Sequence, residues 1–131
     1  MPLLVDTNHV SYLLKGNLDV VQGFRDHRHE TPHVSVVTVG ELLSGARHVK
    51  SAHLERLIQQ FLDECPSVPV DDTIADEYAD IRVHLWSQGR PIPDNDIWIA
   101  ATARELGYRL IARDKHFRNI PGLAVESWFP D

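Results

Sequence analysis

Four carboxylates in this sequence stand where short apolar runs end or helical patterns begin. Asp6 closes the run Leu3-Leu4-Val5, and Glu41 follows a β-branched run in VVTVGELL. Asp96 opens an alanine-rich pattern in PDNDIWIAATA, and Asp114 follows an apolar run in LIARDKHF. Gathered in one place, such groups repel one another, and their pKa values rise unless cations neutralise them. Oxygen-only donors favour a hard ion, Mg²⁺ or Mn²⁺, whereas His and Cys donors would point to zinc. Such ions activate water and stabilise charge on a phosphoryl oxygen, so the chemistry suggested is hydrolysis of a phosphate ester.

Each acid also has a purely local explanation. Thr38 and Glu41 have the spacing of a capping box. Asp96 near a helix start meets the helix macrodipole favourably. Asp114 before Lys115 suits an Asx turn. Asn8 is a good helix cap, and Thr7 then only shapes the turn. In PDND two carboxylates compete: Pro93 suits a helix entrance and Asp94 the N-cap. Asp96 lies inside the first turn, on the stripe of Ile99, Ala100, Ala103 and Leu106, so it should face the sheet with Asp94 at the rim. What the local explanations do not provide is a reason for four acids to share one edge.

The elements that would make them share it are legible. Strand-like runs fall at 3–5, 33–37, 67–70, 109–112 and 123–127. Helical patterns fit 8–15, 19–28, 38–48, 51–64, 72–88 and 94–107, the last ending at Gly107, a suitable C′ residue. Strands alternating with helices imply a parallel sheet covered on both faces. Ligands in such sheets bind outside the carboxyl ends of the strands. Asp6, Glu41 and Asp114 follow three strands, and a helix start can bring Asp96 to them.

With 131 residues, the chain is expected to form one domain spanning 1–131, long enough to bury a core without staples. Cys65 is the one cysteine, so no internal disulfide forms, and a reducing, cytoplasmic setting is expected. MPLLVDTN has no basic segment ahead of a long apolar stretch, so no signal peptide is expected. No apolar run approaches the roughly 18 residues of a membrane span. The net charge of −6, from 13 Lys+Arg against 19 Asp+Glu, argues at first against a polyanionic partner. Discounting four carboxylates that a cation would neutralise leaves a nearly neutral chain, and nucleic acid is no longer excluded.

Taken together and in order, LLVDTN, VSVVTVGELLSGA, GRPIPDNDIWIAATARELG and LIARDKHF resemble a PIN-domain ribonuclease, most closely the VapC-type toxins of toxin–antitoxin pairs. The resemblance covers nearly the whole chain. It implies a single PIN-like three-layer α/β/α domain around a parallel sheet of about five strands. It implies Mg²⁺- or Mn²⁺-dependent hydrolysis of RNA, with Asp6, Glu41, Asp96 and Asp114 as the catalytic, metal-holding acids. Thr7 and Asn8 are the candidates to support them, with Asp94 at the rim in reach of a metal-bound water. A cognate antitoxin is implied as partner, as is a homodimer that binds it in a groove lined by helices between residues 8 and 64. One position departs from the pattern: many members carry Thr or Ser two residues before the last acid, where this chain has Ala112.

Other signals have ordinary readings. HETPH at 29–33 matches H-E-x-x-H, but Pro32 denies it the continuous helix that a zinc site needs. Asp71, Asp72, Asp76, Glu77 and Asp80 suit a capped, solvated helix start. Arg113, Lys115 and Arg118, then Arg47, His48 and Lys50, lie near the acids in sequence. They either track an RNA backbone or are scattered surface charge, with Arg113 and Lys115 the RNA-contact candidates. Trp86, Trp98 and Trp128 are expected to pack rather than to hold bases. The competing functions are a catalytically silent PIN-like protein-interaction module, against which the retained acids argue, and a metal-dependent phosphatase for small substrates.

Overall fold

A computed structural model describes residues 2–130. The strands are β1 (Leu3–Val5), β2 (Pro32–Ser35), β3 (Ser67–Val68), β4 (Arg109–Ile111) and β5 (Val125–Glu126). The helices are α1 (Thr7–Leu14), α2 (Leu18–His27), α3 (Val36–His48), α4 (Ala52–Glu64), α5 (Asp72–Ser87) and α6 (Asp94–Leu106). Short 3₁₀ turns occupy Arg28–Glu30 and Lys115–Asn119. All the strand pairings are parallel, in the order β3-β2-β1-β4-β5.

The middle strand explains the layering. Successive strand side chains point to opposite faces, and in β1 both faces are apolar, so both must be covered. Leu3 and Val5 join Val10 of α1, Val34, Leu42 and Ala46 of α3, Ile58 of α4 and Ile111 on one side. Leu4 joins Ile74, Ile81 and Leu85 of α5, Ile97, Ile99 and Ala100 of α6, and Leu110 on the other. The result is the expected α/β/α arrangement. Burying side chains of this size stabilises by about 1.5–3 kcal/mol each. Cys65 belongs to the first cluster, and burial pushes its thiol up to about 12, which leaves it inert.

Several boundaries differ from the sequence reading for identifiable reasons. The second strand stops at Ser35, not 37, because the Ser35 hydroxyl accepts from the Val37 amide and starts α3 two residues early. Glu41 therefore sits in the second turn of α3, and Thr38–Glu41 is not a capping box. Helix α1 is capped by Asp6 rather than Asn8, which is exposed. Helix α6 has Pro93 at its N-cap, with Asp94 already helical, so Asp94 is not the cap. Gly107 does terminate α6, with φ of 70°, a region glycine enters without penalty. The HETPH segment splits between a 3₁₀ turn and β2, and Glu30 pairs with Arg109 at 2.9 Å, so no zinc pair forms there. Among the described residues no helix is long and apolar enough to cross a membrane.

Candidate active site

Strand register sets the distances at the carboxyl edge. Val5 pairs with Ile111, and the Asp6 amide donates to the Ile111 carbonyl at 3.0 Å, so Asp6 leaves the sheet beside the turn that carries Asp114. Asp6 is 4% exposed. Its Oδ1 accepts from the His9 amide at 2.9 Å and lies 3.0 Å from His9 Nδ1. Capping a helix with this acid satisfies an orphan amide and sets the carboxylate in the positive end of the helix dipole.

Glu41 arrives from the other neighbouring strand, through α3. Its Oε1 accepts from the Thr7 hydroxyl at 2.7 Å, and Thr7 Oγ1 lies 3.0 Å from Thr38 Oγ1. Thr7 has one proton; with it on Glu41, the buried Thr38 hydroxyl donates to Thr7. That chain ties α1 to α3 across the edge of the sheet. Glu41 is thus engaged across 34 residues rather than with its own helix end.

Asp96 comes from the first turn of α6. The helix phase places Ile99, Ala100 and Ala103 beneath it, all buried. The stripe does not stay buried to its end: Leu106 is 42% exposed. Burial raises the Asp96 carboxyl above its usual range; His116 lowers it, and the charges of Glu41, Asp6 and Asp114 raise it further. Asp96 therefore stands within the field of the other three acids. His116 reaches toward both remaining carboxylates, with Nε2 at 3.0 Å from Asp96 Oδ2 and Nδ1 at 3.3 Å from Asp114 Oδ1. Asp114 is exposed; its Oδ1 accepts from the His116 amide at 3.2 Å, so it does make the Asx-type turn as well. Among the described residues, no three acidic, histidine or cysteine side chains stand close enough as they are to enclose a metal ion. The donors are nonetheless all hard oxygens under mutual repulsion, which is the chemistry that a divalent cation relieves.

The supporting candidates divide. Thr7 holds Glu41, as described. Asn8 makes no side-chain hydrogen bond among the described residues. Asp94 is 60% exposed, and its Oδ1 accepts from the Tyr78 hydroxyl at 2.9 Å, on the flank of α5. Ala112 is buried, and its amide donates to the Glu126 carbonyl at 2.9 Å.

Arg113 and Lys115, with Arg118, Ser127, Phe129 and Pro130, line a cavity of about 400 Å³. The Arg113 guanidinium lies 4.5 Å from the Phe129 ring centre, and Phe129 also meets the edge of His9. The cleft thus adjoins the Asp6 corner. Arg47, by contrast, is committed to Glu55 at 2.8 Å. Trp98 stacks on Tyr78 and Trp128 packs between Phe24 and His27, but Trp86 is 59% exposed beneath Arg82, contrary to the packing expected of it.

Sequence reasoning missed His9 and His116. Both leave a spacing signal: each follows a capping aspartate, by three residues for His9 and by two for His116, so the ring returns toward the carboxylate.

Residues 3–123 match the PIN domain family. The chain is 33% identical over 130 residues to Ribonuclease VapC2 of Haemophilus influenzae, covering 95% of this chain and 96% of that one. It is 29% identical over 132 residues, 98% of each chain, to the tRNA(fMet)-specific endonuclease VapC of Shigella flexneri. The fold matches VapBC-5 of Mycobacterium tuberculosis, a member of the VapBC family of toxin–antitoxin systems. That match has a TM-score of 0.70 and 26% identity, over 96% of each chain.

Proposed function

This chain belongs to the PIN-domain family, and from that premise we propose that it is a VapC-type endoribonuclease toxin. It hydrolyses RNA phosphodiester bonds with a hard divalent cation, Mg²⁺ or Mn²⁺, gathered by Asp6, Glu41, Asp96 and Asp114. The observation that carries the reading is geometric: Asp6 leaves β1 beside the turn that bears Asp114, Glu41 reaches α1 through Thr7, and one imidazole lies within 3.0 Å of Asp96 and 3.3 Å of Asp114. A cluster of that kind is costly to maintain without a counter-ion. Acids that do not by themselves enclose an ion among the described residues suit one that keeps several of its waters and completes its shell with substrate phosphate, as Mg²⁺ commonly does.

Each residue has a separable task. Asp6 and Glu41 present carboxylates already oriented by the α1 amide, His9 and Thr7, so little is lost in ordering them. Asp96 brings charge on a rigid helix. The cation, when bound, acidifies water and offsets charge building on the phosphoryl oxygens. Arg113 and Lys115 neutralise neighbouring phosphates, and Phe129 offers a face for an unpaired base.

VapBC-5 is a member of the VapBC family of toxin–antitoxin systems, and the partner proposed here is likewise a cognate antitoxin bound to a homodimer. A groove of about 320 Å³ lined by Leu13, Val21, Phe24, Pro32 and Phe61 suits an apolar antitoxin segment. Light scattering should return twice the chain mass, and a monomer at micromolar concentration would count against the dimer. For the chemistry, purified protein should cut a single-stranded or loop-bearing RNA in Mg²⁺ or Mn²⁺. It should stop in chelator, and Asp6→Asn should be inactive. Cutting that persists in chelator, or in Asp6→Asn, would refute the mechanism.

A further inference from the structure

His9 is fully buried, yet it is a polar ring with two nitrogens to satisfy. Both are satisfied, by different segments. The Trp128 amide donates to His9 Nε2 at 3.2 Å, from 119 residues away in sequence. An amide can only donate, so Nε2 is the acceptor and the ring proton sits on Nδ1. Nδ1–H then donates to Asp6 Oδ1 at 3.0 Å. The His9 backbone amide donates to the same oxygen at 2.9 Å. Trp128 and Phe129 pack edge-on against the ring, with centroids 5.8 and 5.0 Å away, and prevent it from turning. Two donors on Oδ1 set the plane of the carboxylate and leave Oδ2 with no intramolecular partner among the described residues.

We propose that His9 is a positioning residue for Asp6: with Nε2 accepting from the Trp128 amide and Nδ1–H donating, it saturates Oδ1 and aims Oδ2 at the divalent cation. The inference rests on the reading of Asp6 as a cation-holding acid. It makes the carboxy-terminal segment part of the site, because the amide that fixes the ring comes from Trp128. Hydrogen bonds that orient a ligand from behind are worth roughly 10–100-fold in metal affinity. Asparagine at this position retains an N–H near the place of Nδ1, whereas leucine fills the space without a donor.

The test compares wild type, His9→Asn and His9→Leu by Mn²⁺ titration followed by electron paramagnetic resonance, with thermal melting and RNA cleavage beside it. His9→Leu should weaken Mn²⁺ binding by about tenfold or more. His9→Asn should restore it to within about threefold, and cleavage at saturating Mn²⁺ should follow the same order. A folded His9→Leu that binds Mn²⁺ like wild type would overturn the proposal, as would a folded His9→Asn no better than His9→Leu. Nitrogen-15 spectra of wild-type imidazoles read the tautomer without any variant: a proton found on His9 Nε2 overturns the proposal even if neither variant folds. Wild type that fails to take up Mn²⁺ at millimolar concentration removes both the proposed function and this inference. Affinities that change as expected in a protein that cuts no RNA would retain the inference while the ribonuclease reading fell.

Discussion

The two halves of the acidic edge are built differently. Asp6 and Glu41 are each held by a partner that the fold itself anchors: a helix amide and His9 for one, the Thr7 hydroxyl for the other. Asp96 and Asp114 share a single imidazole, His116; Asp114 also accepts from the His116 amide, but it does so as an exposed group rather than a buried one. The first half is preorganised and stays so without a counter-ion. The second half carries the unresolved repulsion, with the His116 ring set between its two carboxylates. On the proposed function, one half would fix where a cation goes, and the other would supply the reason for it to bind.

The largest expected effect breaks this symmetry outright. Asp96→Asn should abolish cleavage, a fall on the order of a thousandfold or more, while making the metal-free protein more resistant to heat, because a repelled, half-buried charge is gone. Asp6→Asn should abolish cleavage with no such gain. Paired melting curves in chelator and cleavage assays in Mg²⁺ check this; equal stability changes in the two variants would erase the distinction.

A smaller effect separates the supporting groups. Thr7→Val should cost about tenfold in cleavage, since Glu41 loses its orienting donor. His116→Gln should stay within about threefold at saturating cation, because the ion takes over the bridge between Asp96 and Asp114. Dose–response curves in Mg²⁺ for both variants read the difference, and the reverse order would mean that the His116 bridge belongs to the working site.

The pH response sharpens the comparison further. The Asp96 carboxyl is raised in the folded protein, so the folded state holds its proton more tightly than the unfolded chain. Its contribution favours folding below the usual carboxylate range and is lost as pH rises through that range to the raised value. Chemical denaturation of metal-free wild type should show this loss; Asp96→Asn should lack it, and added Mg²⁺ should flatten it. A pH profile unchanged in Asp96→Asn would place the strain elsewhere.

The smallest effect belongs to the rim. Asp94 neither caps α6 nor faces the other acids, and its bond to Tyr78 is exposed. Asp94→Ala should cost about 0.5 kcal/mol of stability and leave cleavage nearly unchanged. A loss of activity as large as that of Thr7→Val would bring Asp94 back into the site.

Much of this was legible in the chain before folding. The strands and helices declared themselves because β1 is apolar on both faces and α6 is alanine-rich between a proline and a glycine. The edge on which Asp6 and Asp114 stand followed from strand direction alone. Boundaries were harder where two caps competed. Ser35 and Thr38 both suit an N-cap, and Ser35 prevails because β2 ends there, which moves Glu41 a turn deeper into α3. At α6 the N-cap position falls on Pro93, which makes no side-chain cap bond, and Asp94 lies one position inside the helix.

By itself, then, the sequence determined which elements carry the four hard-oxygen acids and at which edge of the sheet they stand, because each is attached to an element whose periodicity is local and therefore readable. Only the tertiary structure decided how those acids are held. The His9 ring reads as an ordinary buried residue until Trp128, 119 residues later, delivers an amide to it. Thr7 is a turn residue until α3 brings Glu41 within 2.7 Å. Long-range hydrogen bonds leave no periodicity in the chain, because their partners are set by how layers stack and not by spacing along it. What was unreadable was therefore the orientation of the charges.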